Sequence, residues 1–140
     1  MNTYRPSLGF VLIVAVLAAG CDSLHYTQYV VAKASPSDRA TIKRAVESSA
    51  TAAGLIDKTD TSKIPDTIAF YLEPVPHFPV SLGARMVEDS AVVDLGCFHP
   101  GVAKPPAFRA AESSLTTTLT REFRPRLAMP DYSHRVPMTR

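Results

Sequence analysis

The sequence predicts an α+β domain, a small antiparallel sheet with two helices on one face. Three observations carry this. Two segments repeat apolar residues at three- and four-residue spacing, the mark of a helix with one buried stripe. Four or five shorter segments alternate in polarity or are dense in β-branched and aromatic residues, as half-buried strands are. The segments follow one another as β-α-β-β-(β)-α-β, and 140 residues hold that set once, as one domain.

The first strand is read at residues 25–32, His25-Tyr26-Thr27-Gln28-Tyr29-Val30-Val31-Ala32. A helix start follows at Ser35-Pro36-Ser37-Asp38, with Ser at the N-cap, Pro at the first helical position and an acid in the first turn. Ile42, Ala45, Val46, Ser49, Ala50 and Ala53 form its narrow apolar stripe, Lys43, Arg44 and Glu47 its outer face, and Gly54 its C-cap. A stripe made mostly of Ala predicts close packing on the sheet. Residues 55–65 read as polar connection, and residues 67–73 alternate with Ile68, Phe70 and Leu72 on one face.

Pro74, Pro76 and Pro79 predict a loop reaching Gly83. Residues 84–88 and 91–98 read as two strands, or one bent strand, around Asp89-Ser90. Lys104-Pro105-Pro106 leads into a second helix on the spacing of Phe108, Ala111, Leu115, Leu119 and Glu122 or Phe123. Thr116, Thr117 and Thr118 weaken its intrinsic helicity, so packing must hold it. Residues 124–129 are expected as an edge strand, and residues 130–140 as a loosely ordered tail. This order resembles the ferredoxin-like split βαβ arrangement, a fold that hosts many unrelated functions and specifies none.

The 46% hydrophobic content is unevenly spread. After Arg5, residues 8–20 are uncharged and apolar and end in small residues before Cys21, the plan of a secretory signal and too short to span a bilayer comfortably. Leu17-Ala18-Ala19-Gly20-Cys21 resembles the lipobox of bacterial lipoproteins, with Leu17 one place earlier than the commonest pattern. The resemblance covers residues 1–21 only. It implies that residues 1–20 are a cleaved signal peptide and that Cys21 carries the lipid, including palmitate, that holds the mature chain to a cell membrane. Two or more acyl chains anchor stably where one binds reversibly. Asp22 resembles the sorting signal that keeps such proteins at the periplasmic face of the inner membrane, the alternative being the outer membrane. Residues 21–24 are then a short tether and residues 25–129 the domain.

A formal charge of +2, falling to +1 without Arg5, gives no bulk attraction for nucleic acid. With Cys21 lipidated, Cys97 has no disulfide partner within the chain. Cys97 and His99 lie two apart on a strand, on one face, so thiol and imidazole could form a nucleophilic pair. Val93 and Leu95 on that face instead make Cys97 a small core residue. His25, His77, His99 and His134 show no metal-ligand spacing, and no cofactor or metal is implied. Glu88, Asp89 and Asp94 read as solvated acids.

The partner-binding candidates are Pro76, His77, Phe78 and Pro79, a stiff loop that could present an aromatic anchor. Arg121, Arg124, Arg126, Arg135 and Arg140 form a basic C-terminal arm that could touch anionic headgroups. The expectation is a lipid-anchored, non-enzymatic accessory or binding domain of the bacterial envelope. The rivals are a small envelope enzyme or redox protein using Cys97 and His99, and a structural or regulatory subunit of an envelope complex.

Overall fold

The computed structural model describes residues 22–73, 79–100 and 102–130. Its elements are β1 (Asp22–Val31), α1 (Pro36–Ala53), β2 (Ile56–Asp57), a 3-10 turn (Thr59–Thr61), β3 (Thr67–Leu72), β4 (Val80–Val87), β5 (Ser90–Pro100), α2 (Pro106–Phe123) and β6 (Leu127–Ala128). The α+β class is as the sequence predicts: six antiparallel strands in the order β2-β3-β4-β5-β1-β6, with two helices. The helix α2 joins β5 to β6 across β1, which is a split βαβ connection. On the other side three strands, β3, β4 and β5, separate β1 from β2.

Both helices lie on the same face. Odd residues of β1 and β5 (Tyr29, Val31, Val93, Leu95, Cys97) and even residues of β4 (Val80, Leu82, Ala84) point into the core. From the helices come Ile42, Ala45, Val46 and Ala50, and Phe108, Ala111, Leu115, Leu119 and Phe123. Each fully buried Leu or Phe contributes roughly 1.5–3 kcal/mol, which is what overrides the weak helicity of Thr116–Thr118. The small stripe of α1 lets the helices approach until Ser49, wholly buried, donates a 2.8 Å hydrogen bond to Ser114.

The ends of α1 follow the sequence reading. Ser35 and Asp38 form a reciprocal capping box, and Gly54 closes the helix at φ 70° with its N–H on Ala50 and Thr51 carbonyls.

Several boundaries differ from expectation. Asp22, Ser23 and Leu24 belong to β1, fully paired with Pro100, His99 and Phe98, so residues 22–24 are sheet and not tether. β4 begins at Val80, so Gly83 lies inside a strand and not at the end of the expected proline loop. In β3 a register shift between Thr67 and Ala69 turns Ala69 and Tyr71 inward with Ile68. Phe70 and Leu72 therefore lie on the opposite, helix-free face, because one irregular residue inverts the alternation. β2 and the 3-10 turn were not expected, and β6 is only two residues, since Arg124–Arg126 turn instead. Of the basic arm, Arg126 pairs with Asp38 and Arg121 with Glu122. Arg135 and Arg140, like the rest of residues 131–140, lie outside the described residues.

Candidate functional site

The predicted pair, Cys97 and His99, sits on the helix side of β5 near its end. Cys97 is 2% exposed, and its thiol donates to the Phe98 carbonyl at 3.5 Å. Burial pushes the thiol up, and the negative charge of Glu73 pushes the same way. The thiol is thus held protonated, the reverse of what a cysteine nucleophile requires. Across the ladder, Cys97 opposes His25. The His25 ring lies 6.5 Å from that of His99 and 5.9 Å from that of Phe108, so these aromatic rings plug the end of the core. Among the described residues, no group of three or more His, Cys, Asp or Glu side chains could hold a metal ion.

Beside them, Glu112 of α2 accepts hydrogen bonds from Thr27 at 2.6 Å and from Lys104 at 2.7 and 2.8 Å. Burial alone would raise its pKa, but the bonds from Lys104 and Thr27 outweigh it and hold the carboxyl below its ordinary value. Lys104 also lies 5.4 Å from the centre of the Phe108 ring. Next along β1, the Tyr29 hydroxyl shares a 2.8 Å hydrogen bond with Thr116 and donates to the Glu112 carbonyl at 3.2 Å. Burial raises the Tyr29 pKa, against the lowering effect of the Thr116 hydrogen bond. These contacts dock α2 on β1.

The other face of the sheet is built differently. Even residues of β1 and β5 and odd residues of β4 project there, and no described helix covers them. Asp94 is the hub. It accepts from the Tyr26 hydroxyl, accepts from Gln28 at 2.7 Å, and stands 3.6 Å from the Arg85 guanidinium. Gln28 also donates to the Tyr26 hydroxyl at 2.9 Å.

Two glycines shape the surface around this hub. In the register Tyr26 faces Gly96 and Phe70 faces Gly83, so each ring lies over a position that has no side chain. A recess of about 290 Å³ opens beside the rings, its lining including Tyr26, Phe70, Ser81, Gly83, Arg85 and Asp94. The Tyr26 and Phe70 rings form part of its wall, and Tyr26 and Arg85 both engage Asp94, an arrangement suited to contact with a partner. In the sequence Asp94 reads as a solvated acid. Its partners Tyr26, Gln28 and Arg85 come from two other strands, and nothing in the local pattern joins them.

Of the remaining predicted positions, Asp22 and Pro79 are described, and both stand at the same end of the sheet. Cys21 lies outside the described residues, and Asp22, immediately after it, opens β1 opposite Pro100. Pro76, His77 and Phe78 also lie outside them. The connection that contains them joins β3 to β4 at this same end, closing on Pro79, which is exposed, and on a 3.1 Å bond from Glu73 N–H to the Val80 carbonyl.

Comparisons with protein-family models, with curated proteins and with solved structures found no match to this chain.

Proposed function

We propose that this chain is a lipid-anchored protein of the bacterial envelope, attached through Cys21 at the periplasmic face of the inner membrane. Its domain acts as a non-enzymatic accessory or binding module for another envelope component. The observation that carries the reading is the junction between address and fold. The lipobox-like Leu17-Ala18-Ala19-Gly20-Cys21 ends one residue before Asp22, and Asp22 is already a paired residue of β1. A signal that ends immediately before the first residue of a sheet suits a cleaved leader followed directly by the mature domain. Asp22 as the residue after the lipid site supports retention at the inner membrane.

The non-enzymatic part of the reading is supported by chemistry already described: Cys97 is buried and protonated, and Glu112 and Asp94 are each engaged by several donors. The helix-free face, with its recess beside Asp94, is the surface offered to a partner.

Radiolabelled palmitate incorporation, compared between wild type and Cys21→Ser, tests the anchor. Wild type is expected to be labelled, cleaved and recovered with inner membranes, and Cys21→Ser to be unlabelled and uncleaved. Equal processing and labelling of the two would refute the reading.

A further inference from the structure

The anchor reading leaves open whether the domain swings on its acyl chains or rests against the bilayer. Resting on that reading, we propose that the Cys21 end of the sheet is itself a membrane-contacting surface, in which Leu24, Phe98 and Val102 enter the lipid interface and fix the domain's orientation.

The chain leaves no slack at this end. Asp22 pairs with Pro100, so the lipid-bearing residue is one residue, roughly 3.5 Å, from the sheet. Leu24 and Phe98 face each other across the ladder on the helix-free face, 49% and 60% exposed. Opposed side chains of this kind have Cβ atoms about 5 Å apart and form one patch. Val102, in the connection from β5 to α2, is 91% exposed.

A second feature is a polarity gradient along the strands. Moving away from Cys21 on the helix-free face, the rung of Asp22 with Pro100 beside the anchor is followed by Leu24 with Phe98, then Tyr26 with Gly96, then Gln28 with Asp94. Two residues of strand advance about 6.6 Å, so from the Leu24–Phe98 rung onward the order runs from apolar through an amphipathic tyrosine to a hydrogen-bonded charged cluster within some 15 Å. That is the order of environments met on leaving a bilayer, and tyrosine favours the boundary between them. Apolar groups of membrane-surface proteins bury about 5–10 Å into this zone, a depth that reaches the rung of Leu24 with Phe98.

The chain has no tryptophan, so a single introduced one reports its own surroundings. Full-length, lipidated Phe98→Trp and Val102→Trp would be placed in vesicles of phosphatidylethanolamine and phosphatidylglycerol, with plain or brominated acyl chains. Val87→Trp serves as control, since Val87 is also an exposed apolar residue but lies at the opposite end of β4.

Emission from Phe98→Trp and Val102→Trp is expected to be quenched by bromine several-fold more than that from Val87→Trp. Val102 stands outside the sheet, so its variant tests the surface even where Phe98→Trp disturbs β5. Equal quenching at all three positions overturns the proposal. So does a blue-shifted Phe98→Trp emission that bromine leaves unquenched, which would mean that a second copy or another protein covers the patch. Palmitate incorporation is measured on the same preparations. Labelled protein with equal quenching removes this proposal alone, whereas unlabelled protein removes the anchor reading and this proposal with it.

Discussion

Arg126 holds the carboxylate of Asp38 through two hydrogen bonds, of 2.8 and 3.2 Å, across 88 residues of sequence. The same guanidinium donates to the Lys33 carbonyl at 2.9 Å and lies 5.5 Å from the Phe123 ring. Asp38 meanwhile accepts from the Ser35 N–H at 2.8 Å as the return half of the capping box. One carboxylate therefore caps α1 and ties the segment after α2 to the segment before α1.

This arrangement predicts an acid-sensitive clasp. The bonds from Arg126, then that from the Ser35 backbone, hold Asp38 well below the usual carboxylate range. A depressed folded-state pKa adds stability that is complete above the unfolded value of about 3.9 and is lost as pH falls through the folded one. Thermal melts from pH 7 down to pH 2.5 should show a steeper acid decline in wild type than in Asp38→Asn. At pH 7 the variant should be less stable by about 1 kcal/mol, the upper end for a solvent-accessible pair. Parallel acid limbs for the two proteins would contradict this.

Cys97 should behave as a core residue. Its thiol, pushed up by burial and by Glu73, should resist iodoacetamide in the folded protein and react fully in urea. Cys97→Ala should fold, losing on the order of 1 kcal/mol through a small cavity, and should keep whatever envelope activity the wild type has. Rapid alkylation of the native protein would restore the enzyme reading.

The helices were legible because their information is local. The Ser35 cap, the Ala-rich stripe, Gly54 and the Phe108-to-Phe123 spacing each sit within one segment, and each is found where the sequence puts it. The strands were legible in kind but not in facing. A single register shift after Thr67 moved Phe70 and Leu72 to the helix-free side, and alternation cannot reveal a bulge. The site was least legible, because Tyr26, Arg85 and Asp94 meet only through the β4–β5–β1 pairing. Arg126 illustrates the same limit: in sequence it is one of several basic residues near the end, and in the fold it is an internal clasp.

Backbone handedness gives a paired prediction. Glu88, in the tight turn between β4 and β5, has φ 54°, where a side chain costs roughly 1–2 kcal/mol. Glycine relieves that strain while adding about 0.5–1 kcal/mol of unfolded-state entropy, so Glu88→Gly should be neutral or slightly stabilising. Gly54 at φ 70° is the mirror case. A Cβ there meets nothing within 4 Å, so Gly54→Ala should destabilise by about 1 kcal/mol through conformation alone. Urea titrations of both variants check the opposite signs.

The two glycines beneath the aromatic rings should respond differently to a methyl group. Neither needs a left-handed backbone, so alanine at either would gain about 0.4–1 kcal/mol by restricting the unfolded chain. At Gly96 the new Cβ would sit 3.7 Å from the Tyr26 ring, an ordinary contact that leaves the Tyr26–Asp94 bond undisturbed. Gly96→Ala should therefore be neutral to stabilising. At Gly83 the Cβ would come within 3.2 Å of Phe70 Cδ2, and the ring must give way by a few tenths of an ångström. Phe70 is half-buried at the wall of the recess, so its displacement sacrifices packing and alters the cavity's shape. Gly83→Ala should fall below Gly96→Ala by about 1 kcal/mol in urea titrations with matching slopes. Should Gly83→Ala prove the more stable of the two, Phe70 would be free to move, and the recess would not depend on the bare backbone at Gly83.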